Sequence, residues 1–186
     1  MKTRIAAVFA AAAISLMAAD VPRQAPDFTV RMPGGGQTTL TQYRGKVVAM
    51  CFILTTCPHC QKTIGYLIQA QNDYGPRGFQ VLASAIDGGA EKLVPGFVQT
   101  FHTNFPVGFN EVMPAISFVQ HPPMVNPHMP LLAFLDRKGV IRAQYEGDDV
   151  KFFGDDQEKN IRRQIEELLA DGPSKGGANK AAKKTQ

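Results

Sequence analysis

The chain has no tryptophan and only three cysteines among 186 residues. Three cysteines cannot build the disulfide framework of a small secreted scaffold. A chain of this length does not need one, because a body of about 150 residues buries roughly 70% of its unfolded surface. The uncharged run from Ile5 to Ala19 spans 15 residues, short of the roughly 20 that a membrane-spanning helix requires. An excess of positive charge is also missing from the body. The formal net charge is +4, but six of the 20 basic residues sit at the ends, as Lys2, Arg4, Lys175, Lys180, Lys183 and Lys184. The remaining 14 face 16 acids across residues 20–171, a net of −2. A surface that tracks nucleic-acid phosphates is not supported on that balance. At 44% hydrophobic and 19% charged, the chain is neither disordered nor a multi-span membrane protein. No internal repeat is present.

What is there divides into three parts. Residues 1–19 read as a secretory signal: Lys2 and Arg4, then the alanine-rich apolar run, then Ala18-Ala19 before Asp20. A cut after Ala19 puts Met17 at the position where alanine is preferred, so an uncleaved N-terminal anchor is the alternative. Either reading exports the protein to a periplasmic or secreted location, where thiols meet an oxidising environment. Residues 20–171 form one domain. Residues 172–186, rich in glycine and lysine, lack the apolar surface to fold and are expected to be a disordered basic tail. Contact of that tail with anionic lipid is its alternative; once the signal is cleaved, no membrane contact is expected of the body.

Within the body, Lys46–Leu54 (KVVAMCFIL) is a nearly continuous apolar run, the pattern of a central strand buried on both faces. A helix is predicted from Pro58, with Ile64, Leu67 and Ile68 at helical spacing and Tyr74-Gly75-Pro76 as its end. Phe79–Ile86 reads as a second buried strand closed by Asp87-Gly88-Gly89. A helix around Glu91–Thr103, bent or begun at Pro95, a short strand at Phe105–Phe109 and a short helix at Glu111–Val119 follow. Leu131–Leu135 and Val140–Tyr145 flank a hairpin signal at Asp136–Gly139. A last helix begins at Asp155-Asp156, with Ile161, Ile165, Leu168 and Leu169 on one face, and stops at Asp171-Gly172-Pro173. The order β-α-β-α-β-β-α specifies an α/β fold, a central mixed sheet flanked by helices.

The chemistry concentrates at Cys57-Pro58-His59-Cys60, where the first strand meets its helix. Cysteines at i and i+3 on a helix share one face with Cβ atoms about 5–6 Å apart, and a small adjustment reaches the roughly 3.5–4.5 Å of a disulfide. Unpaired N–H groups and the helix dipole favour a thiolate at Cys57. Pro58 suits the first helical position, and His59 brings a further donor. Cys57 is thus the expected nucleophile and Cys60 the resolving thiol, with Pro58 and His59 tuning them. A structural zinc site would need four ligands, and no second CxxC exists. Cys51, inside the strand, reads as inert packing.

On these residues the chain resembles the extracytoplasmic thioredoxin-like proteins of the TlpA/ResA/DsbE group, within the broader AhpC/TSA-like superfamily. The resemblance runs from about Ala25 to Leu169. It is carried by Ala25-Pro26-Asp27-Phe28, Gly45-Lys46-Val47-Val48, the CPHC motif, Phe105-Pro106-Val107, and Met129-Pro130 followed by Leu135-Asp136-Arg137-Lys138-Gly139. It implies a thioredoxin fold, dithiol–disulfide exchange without a cofactor, and a cis-proline facing the cysteines, which maps to Pro130. CPHC is also the motif of the oxidant DsbA, whose nucleophilic thiol is unusually acidic. The chain departs from the pattern at three positions: Thr56 stands where tryptophan is common, Cys51 where thioredoxins bury an acid, and Thr63 where ResA-like proteins place a glutamate. With neither carboxylate, proton transfer from Cys60 falls to water.

The segment His121–Pro130 (HPPMVNPHMP) admits two readings. It is a proline-stiffened loop shaping a substrate groove, with Met129 as an adaptable apolar contact; alternatively, its imidazoles and thioethers join Cys57 and Cys60 around Cu(I). The first is preferred, and no metal site is assigned. His102 reads as a structural or surface histidine. The function expected is an exported thiol-disulfide oxidoreductase acting on protein thiol or disulfide clients and reset by a redox partner protein. One rival is a peroxiredoxin-type peroxidase, but its Pro-x-x-x-Thr-x-x-Cys signature is replaced by Met50 and Leu54 ahead of Cys57. The other is a copper-binding or copper-delivery protein using the CxxC and the His/Met loop.

Overall fold

The computed structural model describes residues 20–171; the expected signal and basic tail lie outside them. Strand β4 (Val47–Ile53) is buried at every position. Its alternation serves two cores at once. Val47, Ala49, Cys51 and Ile53 face one cluster, and Val48, Met50 and Phe52 face the other. A strand sealed on both faces explains why the run reads as continuously apolar rather than alternating.

The sheet has eight strands in the order β1-β8-β7-β4-β5-β6-β2-β3. Strands β1 (Arg23–Gln24), β2 (Thr29–Arg31) and β3 (Gln37–Thr39) precede β4 in the chain. Helix α1 (Pro58–Tyr74) returns the chain to β5 (Phe79–Ala85), and α2 (Ala90–Phe101) to β6 (Val107–Phe109). Both connections join strands parallel to β4. After α3 (Val112–Phe118), the hairpin β7 (Leu131–Leu135) and β8 (Val140–Glu146) adds antiparallel to the other side of β4. Helices α4 (Val150–Phe153) and α5 (Gln157–Ala170) follow.

One face of the sheet is covered by α1, α2, α4 and α5 through Ile64, Leu67, Val94, Phe97, Phe152, Ile161 and Ile165. The other is covered by α3 and the N-terminal segment, where Phe28, Phe52 and Phe118 meet edge to face with ring centroids 5.2–5.6 Å apart. Edge-to-face contacts of this kind add about 0.5–1.5 kcal/mol per pair beyond burial. Among the described residues, no helix is long and apolar enough to cross a membrane.

The mixed sheet and its flanking helices match the expected class. Four local differences appear. The three N-terminal strands and α4 carry no periodic signal and were not expected. The strand expected at Phe105–Phe109 is confined to Val107–Phe109. Its Gly108 is required by a close approach, since a Cβ there would lie 2.2 Å from the Arg31 carbonyl oxygen. Helix α2 contains Pro95 in its interior rather than starting there.

Candidate active site

Cys57 is the N-cap of α1, in extended backbone conformation with Pro58 at the first helical position. Its Sγ accepts the backbone N–H of Cys60 at 3.4 Å. The sulfur therefore occupies the place of a capping oxygen and satisfies one of the otherwise unpaired amides of the first turn. Cys57 is half-buried, whereas Cys60 has no accessible surface. Burial pushes the Cys60 thiol far above the ordinary range, opposed by a hydrogen bond with the Leu54 backbone and reinforced by the hydrogen bond to Cys57. No carboxylate contributes to that shift. Both cysteines are free thiols, so the geometry is that of the dithiol: one sulfur at the surface and a neutral one beneath it.

The loop that delivers Cys57 is held by a residue the sequence presented only as a turn former. Asp87, just after β5, accepts the Thr55 N–H with both carboxylate oxygens at 2.9 Å and the Thr55 hydroxyl at 3.0 Å. Gln61 donates back to the Thr55 carbonyl at 2.9 Å, and Cys57 N–H donates to Leu54 O at 3.2 Å. The position after β4 is thereby tied both to the neighbouring strand's end and to the second turn of α1. Asp-Gly-Gly marked the end of a strand; nothing local marked Asp87 as a partner for a residue 32 positions earlier.

A second buried tie lies along α1. Thr63 donates its hydroxyl to the His59 carbonyl at 2.9 Å, and its oxygen accepts from Gln157 Nε2 at 2.7 Å. Thr63 and Gln157 are both fully buried. The hydroxyl proton is committed to a carbonyl, so only the amide nitrogen can face Thr63, and Gln157 Oε1 has no hydrogen-bond partner among the described residues. The His59 ring lies 5.7 Å from that of Phe153, whose neighbour Phe152 stacks on Tyr145 at 3.6 Å. Neither phenylalanine of α4 was singled out from the sequence.

Cys51 is on the same sheet face as Cys60 but has no accessible surface, and burial raises its thiol strongly. This is the packed position expected of it. The Met129–Pro130 bond is cis, as the resemblance implied. Pairing of Phe52 with Leu131 carries the next register step, Pro130, to the end of β4 from which the chain runs to Cys57. Pro130 is buried, and Met129 packs against both cores. His102 caps the end of α2 with left-handed backbone, φ 50°.

The two histidines of the 121–130 loop have partners of their own. Met124 is 95% exposed. His121 Nδ1 lies 3.2 Å from Glu146 Oε2 and its Nε2 3.0 Å from the Val125 carbonyl. His128 Nδ1 lies 3.4 Å from Asp148 and 3.8 Å from Glu146. Carboxylates at and just after the end of β8 take both imidazoles, and the copper alternative that joined them to Cys57 and Cys60 gains no support from these contacts.

The AhpC/TSA family pattern matches residues 21–144. The chain belongs to the AhpC/TSA family. It is 24% identical over 132 residues to the thiol-disulfide oxidoreductase ResA of Bacillus thuringiensis, covering 71% of this chain and 73% of that one. To the thioredoxin-like protein YneN of Bacillus subtilis it is 27% identical over 135 residues, covering 69% and 73%. Among solved structures, a DsbE-like thiol:disulfide interchange protein of Chlorobium tepidum superposes with a TM-score of 0.64 at 23% identity, over 82% of this chain and 99% of that one. A protein from Sinorhizobium meliloti superposes at 0.69 with 17% identity, over 87% and 90%. The structural likenesses show the thioredoxin-like fold, and ResA, one of these sequence relatives, is a thiol-disulfide oxidoreductase.

Proposed function

We propose that this AhpC/TSA-family chain is an exported enzyme that exchanges disulfides with protein thiols through Cys57 and Cys60. The observation that carries this reading is the vertical arrangement of the two sulfurs: Cys57 half-buried at the N-terminus of α1, Cys60 fully buried and donating its N–H to the Cys57 sulfur. In the reducing direction, the Cys57 thiolate attacks one sulfur of a client disulfide. The client S–S bond breaks, a Cys57–client disulfide forms, and the departing client sulfur takes a proton. Cys60 then loses its proton and attacks Cys57 Sγ, releasing the second client thiolate. The client gains two electrons, and Cys57 and Cys60 are left as a disulfide. The oxidising direction is the same sequence reversed, and a redox partner protein resets the pair.

The buried, neutral Cys60 suits the resolving step, because it cannot compete with Cys57 for the client but sits next to the sulfur it must attack. Met129 and cis-Pro130 would seat the client chain. The peroxidase reading gains no support, since Met50, which stands where that signature has its proline, is fully buried in the opposite core. Export rests on residues 1–19.

The test is exchange with a disulfide-containing protein substrate under a fixed glutathione ratio. Cys57→Ser is expected to abolish turnover, and Cys60→Ser to accumulate mixed disulfides on Cys57 that identify the client. Turnover that survives Cys57→Ser would overturn the assignment. Peroxide consumption that is faster than disulfide exchange would favour the peroxidase instead.

A further inference from the structure

We propose that His128, Glu146 and Asp148 form a binding site for a borderline divalent cation of the Zn2+ type, separate from the redox pair. One ligand atom from each lies within 4.8 Å of the other two. Metal–ligand bonds of about 2.0–2.2 Å place tetrahedral donors roughly 3.3–3.5 Å apart. The His128 Nδ1 to Asp148 Oδ2 separation is 3.4 Å, and that to Glu146 Oε1 is 3.8 Å. The two separations from His128 are thus within a few tenths of an ångström of a tetrahedral edge, and the third lies within 4.8 Å. The donors, one imidazole and two carboxylates, suit Zn2+ better than Cu(I), which favours thiolate and thioether.

Two features separate this cluster from an ordinary surface ion pair. The first is its charge. Among the described residues, no lysine or arginine pairs with Glu146 or Asp148; their only ion-pair partners are His121 and His128. Two carboxylates therefore converge with no permanent cation to balance them. Asp149, next in the chain, is not a competing donor, because its carboxylate caps α4 by accepting the Lys151 and Phe152 N–H groups.

The second feature is the rigidity of the frame. Gly147 N–H donates to the His128 carbonyl at 2.8 Å, and His128 N–H donates to Glu146 Oε1 at 2.7 Å. Gly147 is in contact with the Met129 backbone, where a Cβ would come within 2.2 Å of the carbonyl oxygen. The other oxygen of Glu146 is held by the His121 ring, whose side chain is only 8% exposed. A buried imidazole that orients a ligating carboxylate is the outer-shell support that metal sites use. His128 and Asp148 remain open to solvent, at 65% and 60%, which provides an entry path and leaves a coordination position for water. An ion bound here would tie the segment entering Met129–Pro130 to the turn before α4.

The test is calorimetric titration of untagged, full-length protein with Zn2+ in its disulfide form, where Cys57 and Cys60 cannot bind metal. One equivalent is expected, retained in Cys57→Ser/Cys60→Ser. His128→Gln and Asp148→Asn, both at exposed side chains, should each weaken binding by about 10-fold or more. Co2+ in place of Zn2+ should give d–d bands without a sulfur-to-metal charge-transfer band. No uptake by the disulfide form, uptake only by the dithiol, or an affinity unchanged by both substitutions would overturn the site.

Discussion

Gln157 at the start of α5 donates its side-chain amide to the hydroxyl of Thr63 on α1 at 2.7 Å, with both residues fully buried. Thr63 passes the contact on to the His59 carbonyl in the first turn of α1, within the motif that carries the sulfurs. A helix at the far end of the sequence is thereby tied to the helix turn that carries both cysteines. Gln157→Leu should cost less than the about 1–3 kcal/mol of a lost buried partner, because it takes the donor from the Thr63 oxygen but also removes the unpaired Gln157 Oε1. Gln157→Leu combined with Thr63→Val should cost less than the sum of the two single changes, since both polar partners then leave together. Denaturant midpoints of the four proteins check this.

Asp87 is the second long-range support. It takes three hydrogen-bonding contacts from Thr55, two from the amide and one from the hydroxyl, and so holds the turn between β4 and Cys57. Charge-assisted hydrogen bonds are worth about 1.5–3 kcal/mol. Asp87→Ala should lower stability by about that amount and slow disulfide exchange, while Asp87→Asn, which keeps an acceptor oxygen, should lose less of both. Equal losses in the two variants would show that the hydrogen bonds to Thr55 are not what matters.

How much of this was readable beforehand depended on range in sequence. The CPHC turn announces itself because strand, N-cap, proline and both thiols lie within fourteen residues, from Val47 to Cys60. Burial on both faces made β4 an apolar run, and α5 showed its face at Ile161, Ile165, Leu168 and Leu169. Strands β1, β2 and β3 are only two or three residues long, too short for any alternation to register. The ties from Asp87 to Thr55 and from Gln157 to Thr63 join residues 32 and 94 positions apart, and single polar residues carry no periodicity. The histidines of the 121–130 loop were visible as ligands, but their partners, Glu146 and Asp148, are supplied by a strand end that only folding brings beside them.

Thiol reactivity should follow exposure in the reduced protein. Cys57 is half-buried, and Cys51 and Cys60 have no accessible surface. Native protein treated with iodoacetamide at neutral pH should take up one label, located on Cys57 by peptide mapping. All three cysteines should label after denaturation. Early labelling of Cys60 would reverse the roles of the two sulfurs.

The two buried thiols also set a pH dependence of stability. Burial raises both Cys51 and Cys60 above their ordinary range, so in the folded protein they stay neutral at pH values where the unfolded chain ionises them. The free thiol titrates near 8.5. Below that pH both states hold these protons, and the two residues add no pH dependence. Above it the unfolded state releases them while the folded state does not, so stability falls as pH rises. The dithiol form should therefore lose thermal stability between about pH 8 and 10. Cys51→Ala should make that slope shallower even if it lowers stability overall by leaving a cavity, because one of the two retained protons is gone. The disulfide form, with only Cys51 left to titrate, should show a shallower slope than the dithiol as well. Melting curves of the three proteins across that range decide it, and slopes that do not differ would mean that the buried thiols are not the groups responsible.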